Sequence, residues 1–209
     1  MTLAEAANRR PLLVPASAEE LTTNLAGGAV EADGLTTFFC EEGYYTPTMR
    51  PGSEPCKRVN IVIPGNPAMV VVSWEEAGAT LRFTLPEAAG DLSDFTTISL
   101  RTAVDPTSPL NTPDSYQGFS VQLTDSNGTT AVVQTRPTEP ALVFPLGNVE
   151  EDDIFEGGLF TGRVPMTTIR LLLSDFEGVD LTQISEVLLL FDQTPSGSLF
   201  IGDIEFVKP

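Results

Sequence analysis

The sequence predicts an all-β protein, a sandwich of two antiparallel sheets. Glycine and proline number 17 each and turn signals recur throughout, which favours many short strands over long helices. Several runs alternate apolar and polar residues with a period of two. Leu81, Phe83 and Leu85 alternate with Arg82 and Thr84, and Phe119, Val121 and Leu123 with Ser120, Gln122 and Thr124; Ile204 and Phe206 alternate with Asp203 and Glu205. One phrase also occurs twice: Asp91-Leu92-Ser93-Asp94-Phe95-Thr96-Thr97-Ile98-Ser99-Leu100 is echoed by Asp180-Leu181-Thr182-Gln183-Ile184-Ser185-Glu186-Val187-Leu188-Leu189, and each copy leads into a strand-like run. The aspartate can accept a backbone N–H two or three residues on, after which the apolar residues tuck under a sandwich edge. This is a device for turning a corner between sheets.

From the N-terminus, residues 1–16 read as a linker. Ser17-Ala18-Glu19-Glu20 has capping-box spacing and predicts a short N-terminal helix to about Asn24, ended by Gly27-Gly28. Strands are then expected at 35–40, 58–63, 68–75, 79–85, 96–104, 117–125, 130–135, 141–145, 167–173, 186–192 and 198–207. Asn127-Gly128 reads as a two-residue hairpin turn that sets Leu123 opposite Val132. The same residues with Thr129 form a glycosylation sequon, for which the turn is the preferred explanation. The 209 residues suit one domain, spanning 17–209.

Composition narrows the function. With 29 acidic and 11 basic residues the net charge is −18, which disfavours nucleic acid and anionic membrane as partners and would attract cations. There is no histidine, so Ser-His and Cys-His catalysis and the usual zinc ligand are excluded. Gly118-Phe119-Ser120-Val121-Gln122 lacks the closing glycine of a nucleophile elbow, and Gly157-Gly158-Leu159-Phe160-Thr161-Gly162-Arg163 lacks the Lys-Ser/Thr of a P-loop. The acidic run Glu150-Glu151-Asp152-Asp153 lacks the alternation of a calcium loop and reads as solvated.

Cys40 and Cys56 bracket a loop rich in proline and glycine. A disulfide closing about 15 residues would contribute on the order of 3 kcal/mol and implies an oxidising compartment. The N-terminus has no charged-then-apolar leader and no run approaches the length of a membrane span. The expectation is a domain from a larger, extracellular protein.

Three stretches and a C-terminal series carry a resemblance. The stretches are Leu81-Arg82-Phe83-Thr84-Leu85-Pro86, the first copy of the repeated phrase through Arg101, and Phe119-Ser120-Val121-Gln122-Leu123-Thr124-Asp125. The C-terminal series Ile169-Arg170-Leu171, Leu173-Ser174-Asp175-Phe176, Gly178-Val179-Asp180-Leu181, Val187-Leu188-Leu189-Leu190-Phe191 and Gly202-Asp203-Ile204-Glu205-Phe206 is the most specific. Residues 66–207 thereby resemble galactose-binding-like jelly-roll domains, similar to carbohydrate-binding modules appended to secreted hydrolases. The resemblance implies a jelly-roll sandwich and a non-catalytic accessory module with a carbohydrate or other polymer as ligand. It also implies a structural calcium held by Asp203 with Glu31 or Asp33, although Gly202 stands where the family pattern has a first aspartate. For an exposed sugar platform the aromatic candidates are Trp74, Tyr44, Tyr45 and Tyr116, with Arg101 as a hydrogen-bonding side chain on a sheet face. Two other readings are a structural domain that packs on a neighbouring catalytic domain without its own ligand and, less favoured, a glycosidase using carboxylates alone.

Overall fold

The computed structural model describes residues 8–14, 21–40, 69–150, 159–162, 164 and 166–209. The first strands are β1 (Arg9–Leu13), β2 (Val30–Asp33), β3 (Thr36–Cys40), β4 (Met69–Trp74) and β5 (Ala79–Thr84). There follow β6 (Thr97–Val104), β7 (Ser120–Asp125), β8 (Thr130–Gln134), β9 (Gly147–Glu150) and β10 (Leu159–Gly162). The last three are β11 (Thr167–Leu172), β12 (Ile184–Phe191) and β13 (Gly197–Val207). One sheet runs β11-β6-β13-β4-β3, with β1 paired to the second half of β13. The other runs β2-β5-β12-β7-β8, and β9 and β10 form a small ribbon. Among the described residues every strand pairing is antiparallel.

The core lies between the two large sheets, where period-two patterns place it. Leu81, Phe83, Val121, Leu123, Val187 and Leu189 face Ile98, Leu100, Ile169, Ile204 and Phe206, all at most 1% exposed. Each such side chain contributes about 1.5–3 kcal/mol on burial. Trp74 of β4 reaches across the gap to Phe191 of β12, with ring centroids 4.6 Å apart, and Phe191 continues to Phe119 at 5.8 Å.

Both copies of the repeated phrase adopt the expected turn. The Asp91 carboxylate accepts the Ser93 N–H at 3.0 Å and its hydroxyl at 2.7 Å, and Asp180 accepts the Thr182 N–H and hydroxyl at the same distances. These donors hold both carboxyls below their usual range, the hydroxyl first and the N–H second. The copies also meet: the Leu92 N–H donates to the Leu181 carbonyl at 2.8 Å and the Ile184 N–H to Gly90 at 2.9 Å. The repetition is therefore one paired corner, feeding β6 on one sheet and β12 on the other. Asp105-Pro106-Thr107 builds the same turn, with the Thr107 N–H at 2.9 Å and hydroxyl at 2.6 Å from the carboxylate.

Asp105 differs in being buried. Burial pushes its carboxyl up, more than the bonds from Thr107 and Ser198 hold it down. The folded state thus keeps a proton that the unfolded chain releases above its ordinary value near 3.8. The contribution of Asp105 to stability therefore falls as pH rises through that window, whereas those of Asp91 and Asp180 are lost as pH falls through their lowered values. Asp105→Asn is expected to be at least as stable as wild type at pH 7, with an advantage that shrinks toward pH 4. Urea titrations at the two pH values check this, and a variant less stable at pH 7 contradicts it.

Several sequence expectations are corrected. Leu21–Asn24 form a turn, and Thr23 bridges to Ala29, so the short helix does not reach these residues; 17–20 lie outside the described residues. Residues 9–13, read as linker, form β1 on the edge of β13. The 141–145 segment makes a turn and a single bridge between Tyr116 and Val143 rather than a strand. The 58–63 strand lies outside the described residues, and β2, β9 and β10 were not anticipated.

The β7–β8 hairpin is shifted by one residue: Leu123 pairs with Ala131, and Val132 faces Gln122. The cause is Asp125, whose carboxylate accepts the N–H groups of Asn127 at 2.9 Å and Thr129 at 3.0 Å. Those bonds stretch the loop to Ser126-Asn127-Gly128, with only Gly128 at positive φ (83°). The slip moves Val132 to the outer face, where it is 49% exposed.

Candidate functional site

The outer face of the β11-β6-β13 sheet carries a polar strip. Ile98, Leu100, Ile169, Ile204 and Phe206 point inward, so the residues between them point out. Register then sets two rows. Ser99 stands beside Arg170 and Glu205, and Arg101 stands beside Thr168 and Asp203. Arg9 of β1 adds a guanidinium at the edge, 3.0 Å from Glu205.

Arg101 and Asp203 form the centre of the strip. The Arg101 Nε lies 2.8 Å from an Asp203 carboxylate oxygen. The contact is an ion pair rather than a hydrogen bond, because Nε–H is too poorly aligned to find an acceptor. The guanidinium makes no hydrogen bond to any described residue, and the Arg101 side chain is 34% exposed. Its seat depends on Gly202, at a bulge between Ile201 and Asp203. A Cβ on Gly202 would stand 2.7 Å from the Arg101 Nε and 3.0 Å from the Met166 methyl, so the bare backbone is what lets the guanidinium lie across β13. Beside it, burial pushes the Glu205 carboxyl up; Arg9 pulls it back, and Asp203 adds to the rise.

Beyond Arg101 the face turns apolar. A cavity of about 480 Å³ opens between Ala103 and the 138–146 segment, lined by Pro140, Val143, Phe144, Pro145 and Leu146 among others. Tyr116, bridged to Val143, is 45% exposed, and Val143 itself 44%. A sugar ring presents hydroxyls at its rim and C–H groups on its faces, so hydrogen-bonding guanidinium and carboxylate beside an apolar surface is chemistry that suits it.

The sequence-derived candidates are placed unevenly. Arg101 is on the open face as expected, and Tyr116 is exposed near the cavity. Trp74 is 1% exposed, packed on Phe191, with its indole N–H donated to the Thr194 carbonyl at 3.3 Å. It serves the core and offers no platform, because the alternation of β4 directs it between the sheets. Tyr44, Tyr45 and Cys56 lie outside the described residues, while the Cys40 backbone ends β3, paired with Met69.

The proposed calcium ligands are not brought together. Asp203 faces out from one sheet and is engaged by Arg101, whereas Glu31 and Asp33 lie on β2 of the other sheet, opposite Arg82 and Thr80. Among the described residues no three acidic or sulfur side chains cluster for a metal, so these three do not fit a calcium site. Arg170, Ser99 and Glu205 were not singled out from the sequence. The alternation of Arg170 between Ile169 and Leu171 marks its outward direction, but its neighbours come from the ladder.

No protein-family model matches the chain, and no curated protein matches it in sequence. Among solved structures it is similar to a family 11 carbohydrate-binding module from Clostridium thermocellum in complex with a β-1,3-1,4-mixed-linked tetrasaccharide, at 13% identity, 96% of each chain and TM-score 0.50. The solution structure of CtCBM11 is similar over 99% of each chain, at 14% identity and TM-score 0.51. Part of an exo-β-agarase is similar at 11% identity and TM-score 0.53, over 96% of this chain and 25% of that one. In fold, this chain is a β-sandwich of the kind found in carbohydrate-binding modules.

Proposed function

We propose that the chain is a non-catalytic carbohydrate-binding module of a secreted protein, and that the outer face of β11-β6-β13 takes the glycan. The observation that carries this reading is the strip centred on Arg101 and Asp203, with guanidinium donors that no described residue uses, beside an apolar cavity. The fold likeness to modules of this kind, one of them in complex with a tetrasaccharide, supports it. The non-catalytic part of the reading is supported by the missing histidine and nucleophile motifs and by the engagement of Asp203 with Arg101 and of Glu205 with Arg9. Secretion rests on the expected Cys40–Cys56 disulfide; among the described residues no helix is long and apolar enough to cross a membrane.

Calorimetric titration against β-glucans, galactans and other plant and algal oligosaccharides, with and without calcium, tests the proposal. Saturable binding to at least one is expected, with no dependence on calcium. Absence of binding across the panel overturns it. That outcome would favour the second reading, a domain that packs on a neighbouring one, to which the 93% exposed Leu146 beside Val143 would contribute.

A further inference from the structure

We infer that the glycan taken by this face is anionic, with a carboxylate or sulfate seated against Arg170 and Arg101. The inference rests on the carbohydrate reading and narrows its ligand class. Its basis is a division of charge between the sheets of a chain whose net charge is −18. The strands of the five-stranded sheet follow the overall bias, with Glu31, Asp33, Asp125 and Glu186 against Arg82 alone. The strands of the other sheet reverse it, with Arg9, Arg10, Arg101 and Arg170 against only Asp203 and Glu205.

The four arginines are not equivalent. Arg10 belongs to the fold: it donates to the Ala89 and Asp91 carbonyls at 2.8 Å each and lies 4.7 Å over the Phe95 ring. Arg9 is taken by Glu205, and Arg101 is held by one ion pair with Asp203. Arg170 is left over. It is exposed on β11 beside Ser99, and although its charge acts on Glu205 it makes no ion pair or hydrogen bond with any described residue. The hydroxyls of a neutral glycan can accept from that guanidinium but leave its charge unmatched. An oxyanion on the sugar would meet a planar fork of donors suited to carboxylate or sulfate. The acids of the opposite sheet stand behind a core about 10 Å thick, farther from such an oxyanion than Arg170 and Arg101.

The test pairs polymers of one backbone that differ in charge: polygalacturonate against its fully methyl-esterified form, and a sulfated galactan against its desulfated form. The full chain is titrated with each, and so is Arg170→Gln, with melting temperature as the folding control. At least one charged polymer is expected to bind about tenfold tighter than its neutral partner, and which pair shows the preference identifies the oxyanion. Arg170→Gln should remove most of the advantage of the charged form over the neutral one without a change in melting temperature. Equal binding within both pairs, or a preference that Arg170→Gln leaves undiminished, overturns the inference and leaves the carbohydrate reading intact. Binding to a neutral β-glucan but to none of the four polymers does the same, and binding to no glycan at all overturns both.

Discussion

Phe191→Ala is expected to lower the free energy of unfolding by about 3–5 kcal/mol. Phe191 is fully buried at the end of β12, the middle strand of its sheet, and it touches Trp74 from the opposite sheet and Phe119 from the neighbouring chain segment. Truncation removes the ring that joins the two layers and leaves a cavity that the strands on either side, fixed by their ladders, can close only in part. Domains of this size have about 5–15 kcal/mol in total, so the loss is a large fraction of the whole. Urea denaturation followed by tryptophan fluorescence reads it directly, because Trp74 is the single tryptophan and lies 4.6 Å from the deleted ring. A loss below about 1 kcal/mol, less than such truncations cost in packed cores, would show that the two sheets are not joined at this point.

Arg101→Ala should leave the melting temperature nearly unchanged and weaken glycan binding by roughly tenfold to a hundredfold. The fold loses little, since the ion pair with Asp203 is partly exposed and such pairs contribute at most about 1 kcal/mol. Binding loses more, because hydrogen bonds to a charged group are worth about 1.5–3 kcal/mol and Asp203 is left without its cation. Gly202→Ala should move in the same direction by a smaller step. The added methyl meets the flexible end of Arg101, which can shift aside at little cost in stability but no longer lies across β13. Equal affinity of wild type and Arg101→Ala for the same oligosaccharide would remove Arg101 from the site.

Strands were legible where one face is buried and the other wet, as in β5, whose burial alternates along its length. They were illegible where that contrast fails. Only one of the four β2 residues is buried, and Pro11 in β1 argues against a strand unless that strand is an edge, as it is here. In β4 nearly every residue is buried, so periodicity could not say whether Trp74 pointed to the core or the surface. The corner phrase was readable because its hydrogen bonds are local, between residues two apart. The meeting of its two copies was not, and neither was the hairpin register, which a single carboxylate at Asp125 decides. The candidate site divides the same way. The outward direction of Arg101 follows from its neighbours in sequence, but its pairing with Asp203, which displaces the calcium expectation, arises only when β6 and β13 lie side by side.

An amide-shift NMR titration with an oligosaccharide that binds shows whether the outer face of β11-β6-β13 takes the glycan. The largest shifts should cluster on Ser99–Arg101, Thr168–Arg170 and Asp203–Glu205, strands adjacent in the sheet but far apart in the chain. Shifts concentrated instead on β5, β12 and β7, around Arg82 and Gln122, would contradict it.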